Sequence, residues 1–246
     1  MENDEYKIEP GADLYGANLS GVDLSGVDLS GANLSDANLT GTKLIDANLT
    51  GAKLKNANLK EANLTGAKLR GAVLIDAGLT GANLENASLE GVNLWKADLS
   101  EAKLKGTNLS NADLRDANLS DADMGGANLL SANLSDAYLE DANLTGANLT
   151  NANLSGANLE GADLSDANLT DANMYDANMT DANLLCANLK DTYLKRADLT
   201  NVNLVRANLQ GANVKYANLT FAVLVSANLE GANLEGARLP DGTIHD

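Results

Sequence analysis

One histidine, His245, and one cysteine, Cys186, are all the chain offers for imidazole or thiolate chemistry. His245 stands next to the last residue, and nothing in the sequence brings a nucleophile to it. A disulfide needs two cysteines, and a zinc cluster needs several Cys and His at ligand spacing, so neither is expected. Serines and threonines are plentiful but have no neighbouring base to activate them. Carboxylates are more abundant still, with 34 Asp and Glu against 17 Lys and Arg. Paired carboxylates do acid–base work only inside a cleft that positions a substrate. The glycines never form the GxxxxGK loop that cradles phosphate. A non-enzyme with no cofactor and no metal is the expectation.

The formal net charge of −17 argues against capture of nucleic acid or anionic lipid. The chain begins with an acidic segment, and no apolar run approaches the roughly 18 residues of a spanning helix. A soluble cytoplasmic protein without an export signal is expected. Aromatic residues make up only 3 % while apolar residues reach 44 %, so the core must be built from small aliphatic side chains.

That core is organised by a period of five. From Leu14 to Leu239 the register never slips over 46 consecutive pentads. The centre is Leu in 42 of them and Met124, Met174, Met179 or Val214 in the rest. Two residues before each centre stands Ala in 39 pentads, and Val or Thr in the others. Five residues on an α-helix advance about 140° past whole turns, which scatters the leucines around the circumference. On a flat strand an odd period sends successive leucines to opposite faces. A bend in every pentad removes the conflict, because each short extended piece then directs its own Ala and Leu inward. The column two residues after each centre, counted from its in-phase start at Gly11, collects 19 of the 22 glycines, with Asp and Asn filling most of the remaining positions. These are the residues that accept positive φ in tight turns. Bends of about 90° close a coil every 20 residues, which gives about 11.5 coils and, at about 4.8 Å per coil, a rod of about 55 Å.

The Ala-(Asp/Asn)-Leu-x-x pentads of residues 12–239 resemble the pentapeptide-repeat family. The resemblance implies an all-β fold, a right-handed quadrilateral parallel β-helix, and that hand agrees with the rule for parallel crossovers. The ending Leu-Pro-Asp-Gly-Thr-Ile-His-Asp is similar to the tails of bacterial, notably cyanobacterial, members. Residues 11–239 are expected to form the β-helix, with residues 1–10 as an N-terminal cap or disordered segment, residues 240–246 as a C-terminal cap or tail, and Ile244, in phase with the pentads, plugging the last coil. The Asn or Asp before each Leu should form ladders along the rod.

Sorting positions by a 20-residue period assigns every outward residue to a wall. The wall centred on Leu19, Leu39 and onward to Leu239 carries ten acids against Lys60 and Arg238, a sum of −8. Glu101, Asp121, Glu140, Asp141, Glu160 and Asp181 are its candidate interaction stripe. The wall centred on Leu14 is close to neutral and bears Tyr15, Trp95 and Tyr175 in one outward column. Val73, Ile75, Tyr193 and Tyr216 decorate the same side, and Trp95, Arg115, Tyr175 and Tyr193 are candidates for a contact face.

Two functions follow as expectations. The first is a non-catalytic scaffold or protein-interaction rod with an unidentified protein partner, as a monomer or as an end-to-end or face-to-face homodimer. The second is carried by the resemblance: some family members mimic duplex DNA and occupy the DNA-binding saddle of type II topoisomerases, including gyrase. This chain shares the rod and the acidic stripe. It departs from those members in having Leu instead of Phe centres, no loop insertion and no helical dimerisation module after residue 239. Ice binding by the outward column of Thr40, Thr80, Thr180, Thr200 and Thr220 is disfavoured by the interruptions at Lys60, Glu140 and Glu160.

Overall fold

A computed structural model describes residues 6–246. The chain winds as a β-helix solenoid in which each residue before a pentad centre pairs in parallel with the residue 20 positions on, from Asp13 with Asn33 to Asn218 with Arg238. Pairing takes the form of single bridges and not of continuous strands. The physical reason is the turn in every pentad, which leaves too few extended residues for a longer ladder.

Each turn is closed by a backbone hydrogen bond from the N–H three residues past the centre to the centre's carbonyl, as from Ala17 to Leu14 at 3.0 Å. Its third residue has positive φ, as a type II turn requires. Gly126 takes φ 63° there, and Asp121 and Cys186 take 59° and 58°. Asp and Asn tolerate this conformation better than other side chains, whereas Tyr216 and Phe221 adopt it against their preference.

Inside, the centres from Leu14 to Leu219 are buried along the rod, and so are the residues two before them apart from Ala12, Val22 and Val27, which are half-buried against the core. The three threonines that replace alanine at 42, 107 and 192 are also buried. A buried hydroxyl must be paired, and each donates to the carbonyl of a leucine 23 residues earlier, at 2.8, 2.8 and 3.1 Å for Leu19, Leu84 and Leu169. Among the described residues no buried side-chain nitrogen or oxygen lacks a partner. The polar ladders form as well: the Asn188 amide donates to Asn168 Oδ1 at 3.1 Å and Oδ1 of Asn188 accepts from Asn208 at 3.1 Å.

The two ends differ. At the N-terminal end Tyr6 and Ile8 are packed on the core, and Leu14, Leu19, Leu24 and Leu29 are covered. Residues 1–5 of the expected cap lie outside the described residues. At the C-terminal end Leu224, Leu229 and Leu234 are only half-buried. Ile244 does not plug the last coil, being 54 % exposed. The turn at 240–243 reverses the chain instead, and Ile244 pairs antiparallel with Arg238. Among the described residues no helix is long and apolar enough to cross a membrane.

Candidate functional site

Glu101, Asp121, Asp141 and Asp181 occupy turn positions with φ between 54° and 61°, which directs them out from one edge of the rod. Parallel pairing at a 20-residue offset stacks them, and Gly161 interrupts their column between Asp141 and Asp181. The interruption has a use, because a Cβ on Gly161 would collide with the Asp141 carboxylate. Glu140 and Glu160 stand in the neighbouring column. Four of the six candidates, Glu140, Asp141, Glu160 and Asp181, meet around one shallow depression of about 340 Å³, completed by Asn158 and Gly161. Glu101 and Asp121 lie further along the same edge and do not line it.

Three of the four carboxylates around the depression, Glu140, Glu160 and Asp181, are held in place by neighbouring amides and a hydroxyl. Asn158 donates to Glu140 Oε1 at 2.6 Å, and the Ser120 hydroxyl donates to Oε2 at 2.9 Å. Asn178 donates to Glu160 at 3.4 Å, and Asn201 to Asp181. None of the six forms an ion pair among the described residues. The result is a positioned anionic surface whose charge is compensated only by dipoles, suited to a cationic counterpart.

The candidate contact residues separate into two groups. Trp95 is half-buried, with its indole N–H donating to Asp116 Oδ2 at 2.8 Å and the Lys96 ammonium 4.7 Å from the ring centre. Arg115 is clamped to Asp113 by two hydrogen bonds of 2.8 and 2.7 Å. The Arg115 hydrogen bond and charge hold the Asp113 carboxyl below the usual carboxylate range, and Asp113 raises Arg115 in turn. Four coils away, Tyr175 and Tyr193 stack with ring centres 6.1 Å apart, and the Arg196 guanidinium sits 5.6 Å from the Tyr175 ring centre. Trp95 and Tyr175 stay on the outside of their wall but are half-buried, Trp95 beneath Asp116 and Lys96 and Tyr175 beneath Tyr193 and Arg196. Tyr15, 64 % exposed, is the member of that column that does project.

A third surface escapes a sort of charges alone. Leu185, Val205 and Val225 occupy one outward column on successive coils, with Val223 and Phe221 beside the last of them. Phe221 is 70 % exposed, Val225 63 % and Val223 44 %. Applying the same 20-residue sorting to apolar residues finds this stripe from sequence. The threonine column also closes on itself, for the hydroxyls of Thr40, Thr180 and Thr220 donate to the Asn two residues before them. Cys186 is exposed at its turn.

No curated protein matches the sequence. Among solved structures, a pentapeptide repeat protein involved in heterocyst differentiation regulation, HetL from the cyanobacterium Nostoc sp. strain PCC 7120, is 36 % identical over 93 % of each chain, with a TM-score of 0.41. Rfr23 from the cyanobacterium Cyanothece 51142 is 39 % identical over 40 % of this chain and 64 % of its own, with a TM-score of 0.31. A trypsin-treated form of QnrB1, a plasmid-mediated fluoroquinolone resistance protein, covers 71 % of this chain and 85 % of its own at 20 % identity. Its TM-score of 0.55 is a likeness of fold. The family model for pentapeptide repeats matches in eight copies, at residues 10–31, 32–71, 57–95, 96–130, 132–171, 162–201, 172–211 and 203–239. Matched along its whole repeat region, the chain belongs to the pentapeptide-repeat family.

Proposed function

We propose that this pentapeptide-repeat scaffold is a non-catalytic cytoplasmic rod, right-handed and four-sided with about 11.5 coils, which presents its acidic wall to a protein partner. Residues 11–239 form the rod, Tyr6 and Ile8 cover its first coil and residues 240–246 cap its last, with no metal or cofactor called upon, as a monomer or a homodimer. The observation that carries this reading is the convergence of Glu140, Asp141, Glu160 and Asp181 around one depression, with Glu140 held by Ser120 and Asn158. A fixed array of carboxylates steers and orients a basic surface. Affinity capture from the native host tests it, with the wild-type protein beside a Glu140→Gln, Asp141→Asn, Glu160→Gln variant. A partner retained by the first and lost by the second supports the acidic wall, and identical captures refute it.

A second reading is mimicry of DNA toward a type II topoisomerase. It is favoured by the alignment of Glu101, Asp121 and Asp141 on successive coils, about 4.8 Å apart along the rod. A gyrase supercoiling assay decides: unchanged activity at micromolar protein removes the reading for that enzyme. Any effect observed should vanish when Glu140, Asp141 and Glu160 are reversed to Lys.

A further inference from the structure

The last circuit of the rod ends in groups that every earlier circuit pairs. On the wall below its final edge, the Leu204 and Arg206 N–H groups donate to Val223 and Val225 carbonyls at 2.8 and 2.9 Å, and the Val223 N–H donates to Val202 at 2.9 Å. One circuit on, the Leu224 and Ser226 N–H groups and the Ala222 carbonyl have no partner among the described residues. The chain itself shows how such an edge is filled. On the adjoining wall the tail lies antiparallel over Arg238: the Leu239 N–H donates to Thr243 at 2.7 Å, and the His245 N–H donates to the Ala237 carbonyl at 2.9 Å. The Ala222 carbonyl and Leu224 N–H flank Val223 as these two groups flank Arg238.

We propose that the edge Ala222–Ser226 is a docking site for an extended segment of another protein, taken up antiparallel with an aliphatic residue seated over Val223. Two other walls are open at this end, but there the equivalent residues are Asn228 and Asn233. Only this edge is apolar, flanked by exposed Phe221 and Val225 and continued down the rod by Val205 and Leu185. Exposed apolar side chains beside unpaired main-chain groups are what strand addition uses, the main chain supplying affinity and alternate side chains specificity. Asp241 borders the site at the tail turn, Glu230 lies on the next wall, and the chain carries −17, so the guest is aliphatic with basic and not acidic flanks. A second rod does not suit the edge. The tail strand already stands one layer above the last coil and keeps another flat end from settling on it, whereas a single strand lies beside the tail in the same layer.

The site is separate from the acidic wall, and its failure leaves that reading standing. The test uses the full chain and a blocked fluorescent peptide, Lys-Val-Thr-Val-Thr-Val-Lys, with two twins methylated on one or the other alternate set of backbone nitrogens. Saturable binding is expected, with slowed hydrogen exchange at the Leu224 and Ser226 amides and about tenfold or greater weakening for one methylated twin. Val223→Lys and Val225→Lys, each at an exposed position, should weaken binding similarly while melting as the wild type does. The proposal is overturned by the absence of saturable binding at millimolar peptide, by equal binding of all three peptides, or by protection mapped elsewhere. Protection of Leu224 that appears without peptide and grows with protein concentration would assign the edge to a second copy instead.

Discussion

Truncating Leu119 to alanine should cost far more than the same change at Leu229, and the difference follows from where each side chain ends up. Leu119 is 0 % exposed, and its equivalents one coil below and above, Leu99 and Leu139, are equally covered. Leu→Ala removes three carbons, worth about 2.4 kcal/mol of transfer free energy at about 0.8 kcal/mol each. The void left between two intact coils cannot collapse, because the backbone bonds from Leu119 to Tyr138 and from Leu99 to Asn118, each 2.7 Å, fix the spacing. With a cavity contribution the total is about 3–4 kcal/mol. Leu229 is half-buried at the open end and has no coil above it, so its truncation should cost about 1 kcal/mol. Urea unfolding followed by circular dichroism measures both through the midpoint at constant slope. Equal losses at the two positions, or a Leu119→Ala variant as stable as the parent, would refute the assignment of a closed core with one uncovered end.

Removal of residues 240–246 should uncover the fourth wall of the last coil and produce end-to-end association, seen as a rise in mass by light scattering; a strictly monomeric truncation counts against capping. Asn188→Ala should cost about 1–2 kcal/mol in the same urea assay, since it deletes one rung bonded to Asn168 and Asn208 and the acceptor for the Lys190 N–H. Asp113 is held low by the Arg115 hydrogen bond, while Asp98 is raised by burial but lowered further by hydrogen bonds from Ser100, Thr80 and Asn118. Carboxyls lowered in the folded state give stability that is complete above the unfolded value of about 4 and is lost as pH falls through the native one. The melting temperature should therefore hold near neutrality and fall below about pH 4, with a shallower acid limb for Asp113→Asn.

Leu14 to Leu219 could be placed from sequence because one constraint acts identically on every pentad: a small residue and a branched aliphatic must share the inside of a bend. The turn column was legible for the same reason, with glycine, Asp and Asn standing where φ is positive. Trp95 and Arg115 were harder, since their wall follows from counting but their rotamers depend on Asp116, Lys96 and Asp113 around them. Counting misplaced Ile244, because the turn after Pro240 reverses the chain and ends the phase that the repeat had kept. The convergence of Glu140 and Glu160 was visible as arithmetic, but the amides of Asn158 and Asn178 that orient them were not.

Because every bridge joins residues 20 apart while the bend recurs every five, length and orientation are separable in this architecture. An insertion of one pentad would leave each side chain beyond it correctly inside or outside, yet turn the remainder of the molecule by a quarter revolution. Placed after Asp121, such an insertion would carry Glu140, Asp141, Glu160 and Asp181 to a different side from Glu101, with the interior undisturbed. Descent by duplication of single pentads can thus redraw the surface of the molecule without endangering its folding.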